Sequence, residues 1–352
     1  ARWITRLETF LRGQFSDDTP GGLRLPQSPM VAWAAALDAP AAVTPCDRPA
    51  PAPPPALRPR EISVTEVATL LADPYAFYAR RMLALRPLDP IDAEAGAADY
   101  GNLVHATMAG FLRALGDGRW PGKDAAAALF ESAAEAALAE AGARPGLIAF
   151  WRPRLARIGG FVVAEEAKAR RDGRLRRTAT EIAGRLVLAG QGEEAVVLRA
   201  RADRIDLLAD GTLGILDYKT GTPPTGPKIA AGDAPQLPLE AAMAARGAFP
   251  GVDKAATTTL LYWKLSGGAE PGEVIDAGNL LARHRKAAGA AAAIEDEAEA
   301  AFQAARRLVG DYLLGAKPFR AWPHPSRTTA GNDYDHLSRR AEWAGAEDGD
   351  GA

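Results

Sequence analysis

The spacing of apolar residues along the chain changes from a helical period to a strand period and back again. In the first half, apolar residues recur every three or four positions, which predicts amphipathic helices. These helical patterns cover residues 2–11, 29–37, 63–71, 99–115, 124–142 and 147–172. Ser63 followed by Glu66 is a capping-box signal, so we expect a helix to begin at Ser63.

Strand-like segments follow these helices. Runs rich in Val, Ile and Leu at about 181–190, 195–208 and 213–218 predict three strands, and the Asp-Gly step within residues 209–212 predicts a hairpin. The remaining patterns are a helix at 234–247, strands at 256–264 and 273–277, and helices at 279–314 and 333–344. This order predicts an α/β fold with a central mixed sheet flanked by helices.

Proline content divides the chain into parts. Residues 39–60 are dominated by Ala, Pro and Arg, a composition typical of an extended linker. We therefore expect a helical tail of an upstream domain at 1–38, a Pro-rich linker at 39–60 and one large domain at 61–352. The chain starts without Met or a signal-peptide pattern, so we expect it to be part of a longer protein.

Composition narrows the class of protein. The single cysteine, Cys46, excludes a disulfide framework and fits a reducing cytoplasm, and no apolar run approaches the length of a membrane span. The net charge of −2 does not indicate nucleic-acid binding, but local basic groups could meet phosphates. Three such groups are Arg152, Arg154 and Arg157; Lys168, Arg170, Arg171, Arg174, Arg176 and Arg177; and Arg283, Arg285 and Lys286. For any one group, a solvated helix face is the simpler interpretation.

Two acidic residues and a lysine fall on the two strands of the predicted hairpin. Side chains alternate along a strand, so Asp217 and Lys219 point to the same side, and Asp203 can approach Asp217 from the neighbouring strand. Two adjacent carboxylates repel each other unless a cation lies between them, and Mg²⁺ takes oxygen ligands of this kind. The pattern favours a metal-dependent phosphodiesterase, although strand-end Asp and Lys are also common as solvated turn residues.

Three further polar residues bear on this site. His105 lies within a mostly apolar helical pattern, where an imidazole is either a satisfied core residue or a metal ligand. Gln236 opens the helix that follows the second carboxylate, and Glu181 begins the first strand. We interpret Glu181 as an exposed strand residue rather than as an acidic neighbour of the metal.

Taken together, the motifs resemble a known family. Gly-Asn-Leu-Val-His105, Ala-Asp203-Arg-Ile-Asp, Asp217-Tyr-Lys219-Thr-Gly and Gln236-Leu-Pro-Leu follow the motif order of the RecB-type branch of the PD-(D/E)xK nucleases. The similarity covers about residues 60–345. The segments 2–7 and 333–343 resemble the flanks of this domain in the AddB family of helicase–nuclease subunits, where it follows a helicase-like portion.

The resemblance implies roles for particular residues. The fold would be restriction-endonuclease-like, and His105, Asp203, Asp217 and the backbone carbonyl of Tyr218 would bind Mg²⁺ or Mn²⁺. Lys219 would be the catalytic lysine, and Gln236 would position that lysine or the DNA. The reaction would be exonucleolytic hydrolysis of DNA phosphodiesters, leaving 5′-phosphates and 3′-hydroxyls. It would act in double-strand-break end resection and recombination, with an AddA-like helicase–nuclease partner subunit.

The chain departs from this family in its cysteines. Many AddB-like nucleases hold an iron–sulfur cluster with four cysteines, one of which precedes a Pro-aromatic step early in the domain. That position is Asp73 here, and one thiolate cannot hold such a cluster, so we expect no iron–sulfur cluster. We expect side-chain packing to take over the stabilising role of that cluster, with Trp322 and Trp343 as the candidate residues.

Two other functions fit the same residues. One is a stand-alone RecB-like exonuclease, against which the upstream helical patterns and the linker argue. The other is a DNA-binding or scaffolding module without catalysis, against which the complete set of His105, Asp217 and Lys219 argues. DNA cleavage that needs a metal and is lost on substitution of Asp217 or Lys219 would separate them.

Overall fold

A computed structural model describes residues 2–14, 29–39, 46–88, 96–117, 119–171, 173–287, 293–321 and 332–347. The chain divides into two compact units, Ala1–Asp47 and Arg48–Ala352. The first unit contains helices α1 (Arg2–Gln14) and α2 (Pro29–Asp38), as the sequence predicts. Both helices expose large apolar side chains, Trp3 and Trp33 among them.

The second unit is built on one mixed sheet of six described strands. These are β1 (Glu61–Ser63), β2 (Leu175–Ala189), β3 (Val196–Leu208), β4 (Leu213–Lys219), β5 (Thr257–Lys264) and β6 (Glu273–Asp276). Strand β3 pairs antiparallel with β2 along one edge, and along its other edge it pairs first parallel with β1 and then antiparallel with β4. Strand β4 pairs parallel with β5, and β5 pairs antiparallel with β6. The structure thus confirms the predicted α/β fold with a central mixed sheet.

Helices cover both faces of this sheet. The described helices of the second unit are α3 (Val64–Ala72), α4 (Pro74–Arg81), α5 (Ala97–Leu115), α6 (Lys123–Glu140), α7 (Pro145–Arg171), α8 (Gly226–Ala230), α9 (Gln236–Ala244), α10 (Ala277–Ala287), α11 (Ile294–Val309) and α12 (Arg340–Glu347). A first core lies between the sheet and α3, α9 and α11, and a second core lies between the sheet and α5, α6 and α7. Strand β4 contributes side chains to both cores, because Ile215 belongs to the first core and Leu216 to the second.

Local signals in the sequence account for several boundaries. Ser63 and Glu66 form the predicted capping box of α3, with each side chain bonded to the other residue's backbone N–H. The hairpin between β3 and β4 turns at Asp210 and Gly211, and Gly211 has a φ of +82°. A φ in the left-handed region favours glycine, which has no Cβ to clash with the backbone.

Two predicted helices differ from the structure. The single helix expected over 279–314 is instead α10 and α11, with Ala293 before α11 in an extended conformation, followed by a π-helical turn at Gly310–Leu314. The helix expected at 333–344 begins only at Arg340, after a series of turns. The segment 279–314 is rich in alanine, which has a high helix propensity, so apolar spacing alone does not show where the helix breaks. In the second case, Arg339 has a φ of +55°, a left-handed conformation that no right-handed helix contains.

Part of the predicted Pro-rich linker packs within the second unit. The Arg58 side chain donates to the backbone carbonyls of Pro53 (2.8 Å) and Lys317 (2.9 Å). The backbone N–H of Phe319 also donates to the carbonyl of Pro51 at 2.8 Å. These contacts join residues 51–58 to the segment that follows α11.

The C-terminal segment packs near Asp73, the position at which the family that this sequence resembles has a cysteine. Asn332 Nδ2 donates a hydrogen bond to Asp73, and Tyr334 Oη donates to the Leu85 carbonyl at 2.9 Å. Trp343 is buried and donates to the Ser338 carbonyl at 2.7 Å. Trp322, the other candidate for this stabilising role, lies outside the described residues. Of the helices that the structure describes, none combines the length and apolar character needed to cross a membrane.

Candidate active site

Three potential metal ligands meet at the sheet surface facing α5. The ligand atoms of His105, Glu181 and Asp203 all lie within 4.8 Å of one another. His105 Nδ1 is 3.2 Å from Asp203 Oδ1 and 3.9 Å from Glu181 Oε1. All three side chains remain partly exposed, with 32% of His105, 23% of Glu181 and 11% of Asp203 accessible to solvent. The cluster is therefore fixed by the fold and still reachable from outside.

An irregularity in β3 lies at Asp203. Apolar residues of the first core occupy even positions of this strand up to Ala202 and then the odd position Ile205. Arg204 instead lies over the ring of Trp263 in the second core, 5.6 Å from its centroid. The alternation of faces therefore changes phase at Asp203. The freed carboxylate accepts a hydrogen bond from the backbone N–H of Tyr218 at 2.8 Å, which ties it to β4.

Glu181 lies opposite Asp203 on β2. The registered pairs on either side are Thr180 with Arg204 and Ile182 with Ala202. Glu181 has a φ of +51°, a left-handed conformation that costs a non-glycine residue about 1–3 kcal/mol. Its Oε1 lies 3.9 Å from His105 Nδ1, and 23% of its side chain is exposed. Our interpretation of Glu181 as merely an exposed strand residue is therefore corrected: it belongs to the acidic cluster. Strand alternation could not show this, because the backbone conformation is irregular there.

Asp217 and Lys219 form an ion pair on β4 that faces α9. Lys219 Nζ is 2.9 Å from Oδ1 and 2.7 Å from Oδ2 of Asp217. Gln236, at the start of α9, donates to Asp217 Oδ1 at 2.7 Å and accepts from Lys219 at 3.3 Å. The structure thus brings Asp217, Lys219 and Gln236 together, and Asp217 lies outside the three-ligand group of His105, Glu181 and Asp203.

Glu240 is a residue of this site that the sequence reasoning missed. It lies one helical turn after Gln236, is 1% exposed, and accepts a hydrogen bond from Gln236 Nε2 at 3.3 Å. Burial, with the added repulsion of Asp217 and Asp203, raises the pKa of Glu240 well above its ordinary value. The i, i+4 spacing from Gln236 was the available signal, since residues so spaced share one helix face.

Charge repulsion and burial shape the titration of the site. Burial raises the pKa of Asp217 to about 6, with Asp203 adding to the shift and Lys219 opposing it. Burial alone would lower the pKa of His105, but its hydrogen bond to Asp203 and the charge of that carboxylate outweigh burial and raise it. As the pH falls, protons on Asp217 and His105 would therefore compete with a metal ion for the site.

A buried ionic network supports β3 directly behind Asp203. The Arg204 guanidinium is 1% exposed, forms an ion pair with Glu166 of α7 and donates to Asp206 Oδ1 at 2.7 Å. Glu166 also accepts from Arg170 at 3.2 Å, and Thr178 donates to Asp206 at 2.8 Å. Each charge in the network has an opposite partner, which offsets the large cost of removing it from water.

The residues present fit a divalent cation. The cluster of His105, Glu181 and Asp203 offers oxygen and imidazole donors at mutually short distances, and Asp217 is close enough for its charge to raise the pKa of His105. Hard cations such as Mg²⁺ and Mn²⁺ prefer carboxylate oxygens. The ligand role of the Tyr218 carbonyl stays a prediction, although the Tyr218 N–H is fixed by Asp203.

Comparisons with known proteins show which proteins this chain is similar to. Residues 61–329 match the family described as the PD-(D/E)XK nuclease superfamily. An uncharacterized protein of Rickettsia conorii is 30% identical over 199 residues, which are 54% of this chain and 23% of that protein. An uncharacterized protein of Rickettsia bellii is 28% identical over 192 residues, which are 54% of this chain and 22% of that protein.

The chain spans less than a quarter of the length of these curated relatives, so the match concerns one part of much longer proteins. One solved structure, described as the crystal structure of SSO0001, is 12% identical, with a TM-score of 0.29 over 74% of this chain and 79% of that chain.

Proposed function

This chain belongs to the PD-(D/E)XK nuclease superfamily, and we propose that it is a deoxyribonuclease that requires a divalent metal. The observation that carries this proposal is the meeting of two elements at one end of the sheet. Asp217 and Lys219 of β4 form an ion pair, and Asp203 of β3 joins His105 to the backbone of Tyr218. Acidic ligands beside an ammonium group are what metal-dependent phosphodiester hydrolysis needs.

The metal would be Mg²⁺ or Mn²⁺, held by His105, Asp203 and Asp217 with the carbonyl of Tyr218. Glu181 is placed to add a further oxygen from β2. When bound, such an ion lowers the pKa of a coordinated water and neutralises charge on the phosphate.

The protein's own residues have separate tasks in this proposal. Lys219 places a positive charge and a hydrogen-bond donor beside Asp217, and 32% of the lysine side chain is exposed to solvent. It would orient the water that attacks phosphorus or stabilise the charge that develops on the phosphate. Gln236 holds the Lys219 side chain in place through its amide oxygen. The new bond joins the water oxygen to phosphorus, and the bond from phosphorus to the 3′ oxygen breaks, which leaves a 5′-phosphate and a 3′-hydroxyl.

The wider role that we propose is end resection at DNA double-strand breaks. Here the chain acts as an exonuclease in the cytoplasm, within a helicase–nuclease complex that contains an AddA-like partner. The resemblance of residues 2–7 and 333–343 to the flanks of AddB-type nuclease domains supports this role, as does a match that covers only part of long relatives.

The test is cleavage of linear and circular DNA, single- and double-stranded, with Mg²⁺, with Mn²⁺ and with EDTA. We expect cutting of linear DNA that needs the metal and is lost in Asp217→Asn and Lys219→Met. The matched controls are Asp311→Asn and Lys317→Met, because Lys317 and Asp311 form another Lys–Asp pair at 3.0 Å. These control variants should cut as the wild type does.

Each alternative corresponds to a different outcome. Cutting that persists in Asp217→Asn and Lys219→Met would contradict the site. A wild-type chain that binds DNA but never cuts it would be a non-catalytic binding module. Equal degradation with and without a helicase partner and ATP would favour a stand-alone exonuclease, and cutting of circular DNA would make it an endonuclease.

A further inference from the structure

A basic cavity lies apart from the catalytic cluster, where the end of α5, the end of α7 and the start of β2 meet. Its volume is about 370 Å³, and its lining includes Arg119, Arg170, Arg171 and Arg176 together with Trp120 and Asp117. The four arginines outnumber the carboxylate, so the local charge is positive although the chain as a whole carries −2. A cavity of this size holds one nucleotide-sized group.

The structure separates this cavity from the basic group formed by Arg152, Arg154 and Arg157. Arg154 and Arg157 donate to the carbonyls of Ser266 (2.6 Å) and Gly267 (2.6 Å), so their guanidinium groups brace a loop. Arg152 forms an ion pair with Glu135 at 2.7 Å. Internal partners thus occupy that whole group.

Arg170 is positioned before any ligand arrives. Its Nε donates to Glu166 at 3.2 Å, its Nη1 donates to the carbonyl of Gly116 at 2.8 Å, and only 7% of its side chain is exposed. Its Nη2 is buried and has no acceptor among the residues that the structure describes. A buried N–H without an acceptor costs about 1–3 kcal/mol, so an anion bound beside this arginine would find a rigid and under-satisfied donor.

Trp120 adds a flat apolar surface to the positive charge. It is half-buried and packs on the second core, which holds its indole ring in place at the cavity. Unpaired bases stack on such rings, while the paired bases of a duplex are already stacked on each other. Arginine beside tryptophan therefore favours a single strand over a duplex.

The cavity lies within reach of a strand that occupies the catalytic cluster. Gly116, the residue that follows α5, comes eleven residues after His105, which corresponds to about 16 Å along a helix. Leu175 precedes Glu181 by six residues of β2, which correspond to about 20 Å along a strand. A few nucleotides of a single DNA strand span these distances, so one continuous strand can contact both the cavity and the catalytic cluster.

We propose that this cavity binds single-stranded DNA a few nucleotides away from the active site, with the arginines on its phosphates and Trp120 stacked on one base. The proposal rests on the proposed function in taking DNA as the substrate. Binding is nevertheless measured without cleavage, so the two proposals fail separately.

The experiment is fluorescence anisotropy of a labelled oligothymidylate of about 15 nucleotides in EDTA, over a range of salt concentrations. Arg119→Ala/Arg176→Ala removes two exposed arginines of the cavity, and Arg283→Ala/Lys286→Ala removes two exposed charges elsewhere. We expect the cavity variant to bind about tenfold more weakly and to lower the slope of log K against log salt by about 1.4, for two lost phosphate contacts. The control variant should bind as the wild type does.

Trp120 is tested by a pair of substitutions, and thermal unfolding of each variant confirms the fold. Trp120→Leu should weaken binding at least about fivefold, while Trp120→Phe, which keeps a stacking ring, should stay within about twofold. Equal losses in the cavity and control double variants would overturn the proposal, as would equal binding by the two Trp120 variants. The proposal would also be overturned if the cavity variant lost as much affinity for a duplex oligonucleotide as for the single strand.

Discussion

Lys219 Nζ lies 2.7 Å from Oδ2 of Asp217, and the two side chains share one face of β4 because two positions separate them. The carboxylate is 2% exposed and the lysine side chain 32% exposed, so the pair runs from the interior to the surface. Gln236 approaches this pair from α9 and bonds both partners. The geometry of the ammonium group therefore depends on a helix that follows in the chain.

Gln236→Ala should lower the rate of DNA cleavage by about 10- to 100-fold, because a misplaced Lys219 loses its alignment with the phosphate. Metal affinity should change little, since Gln236 is not among the proposed ligands. Single-turnover cleavage and calorimetric titration with Mn²⁺ measure the two effects. Gln303→Ala is the matched control, because Gln303 likewise donates to a carboxylate, Glu299, at 2.7 Å but on an exposed surface.

Asp217→Asn should stabilise the protein in EDTA at pH 7.5 by about 1–3 kcal/mol. The folded-state pKa of Asp217, about 6, lies above the ordinary 3.8, so its contribution to stability is complete below about pH 4 and is lost as the pH rises through about 6. Asparagine carries no such penalty. Urea unfolding should show that the difference in stability between Asp217→Asn and the wild type shrinks at pH 4.5. The control variant Asp311→Asn should be as stable as the wild type at both pH values. An Asp217→Asn variant that is less stable than the wild type at pH 7.5 would contradict this account.

Divalent metal binding should weaken steeply below about pH 6. A metal ion must displace the proton of Asp217, whose pKa is about 6, and that of His105, whose pKa is also raised. The dissociation constant for Mn²⁺ should therefore rise at least about tenfold per pH unit below pH 6. Calorimetry from pH 5 to 8 measures this slope. His105→Gln should bind less tightly overall but with a shallower pH dependence, and an unchanged slope would exclude His105 as a ligand.

Arg204→Met should cost about 3–5 kcal/mol of unfolding free energy, because it leaves Glu166 and Asp206 buried without their main cation. Arg152→Met removes an ion pair with Glu135 whose side chains are 54% and 48% exposed. Exposed pairs contribute about 0–1 kcal/mol, so this control should change stability little. Denaturant unfolding of both variants gives the comparison, and similar losses would mean that the buried network has no special weight.

Two adjacent glycines of α7 should respond in opposite directions to alanine. A Cβ on Gly159 would lie 2.6 Å from the Phe130 ring, while nothing lies within 4 Å of one on Gly160. Gly159→Ala should destabilise the protein by about 1–3 kcal/mol through overpacking. Gly160→Ala should stabilise it by about 0.5–1 kcal/mol through helix propensity. Thermal unfolding of the pair measures the difference, and a shared sign would refute the predicted packing.

Features that depend on near neighbours in the chain could be predicted from residue spacing. The capping box at Ser63, the Asp-Gly hairpin and the shared face of Asp217 and Lys219 each follow from residues at most four apart. At such distances backbone geometry leaves few alternatives, so spacing alone predicts the contact. The order of the motifs was likewise enough to indicate the family.

Residue spacing does not show which distant groups share one site, because the fold brings them together. Glu181 joins the cluster because β2 is irregular opposite Asp203, where alternation of faces no longer applies. Arg204 is buried because α7 supplies Glu166 from 38 positions earlier in the chain. The physical reason is the same in both cases: the cost of burying a charge or straining a backbone is met by partners that the fold brings from elsewhere.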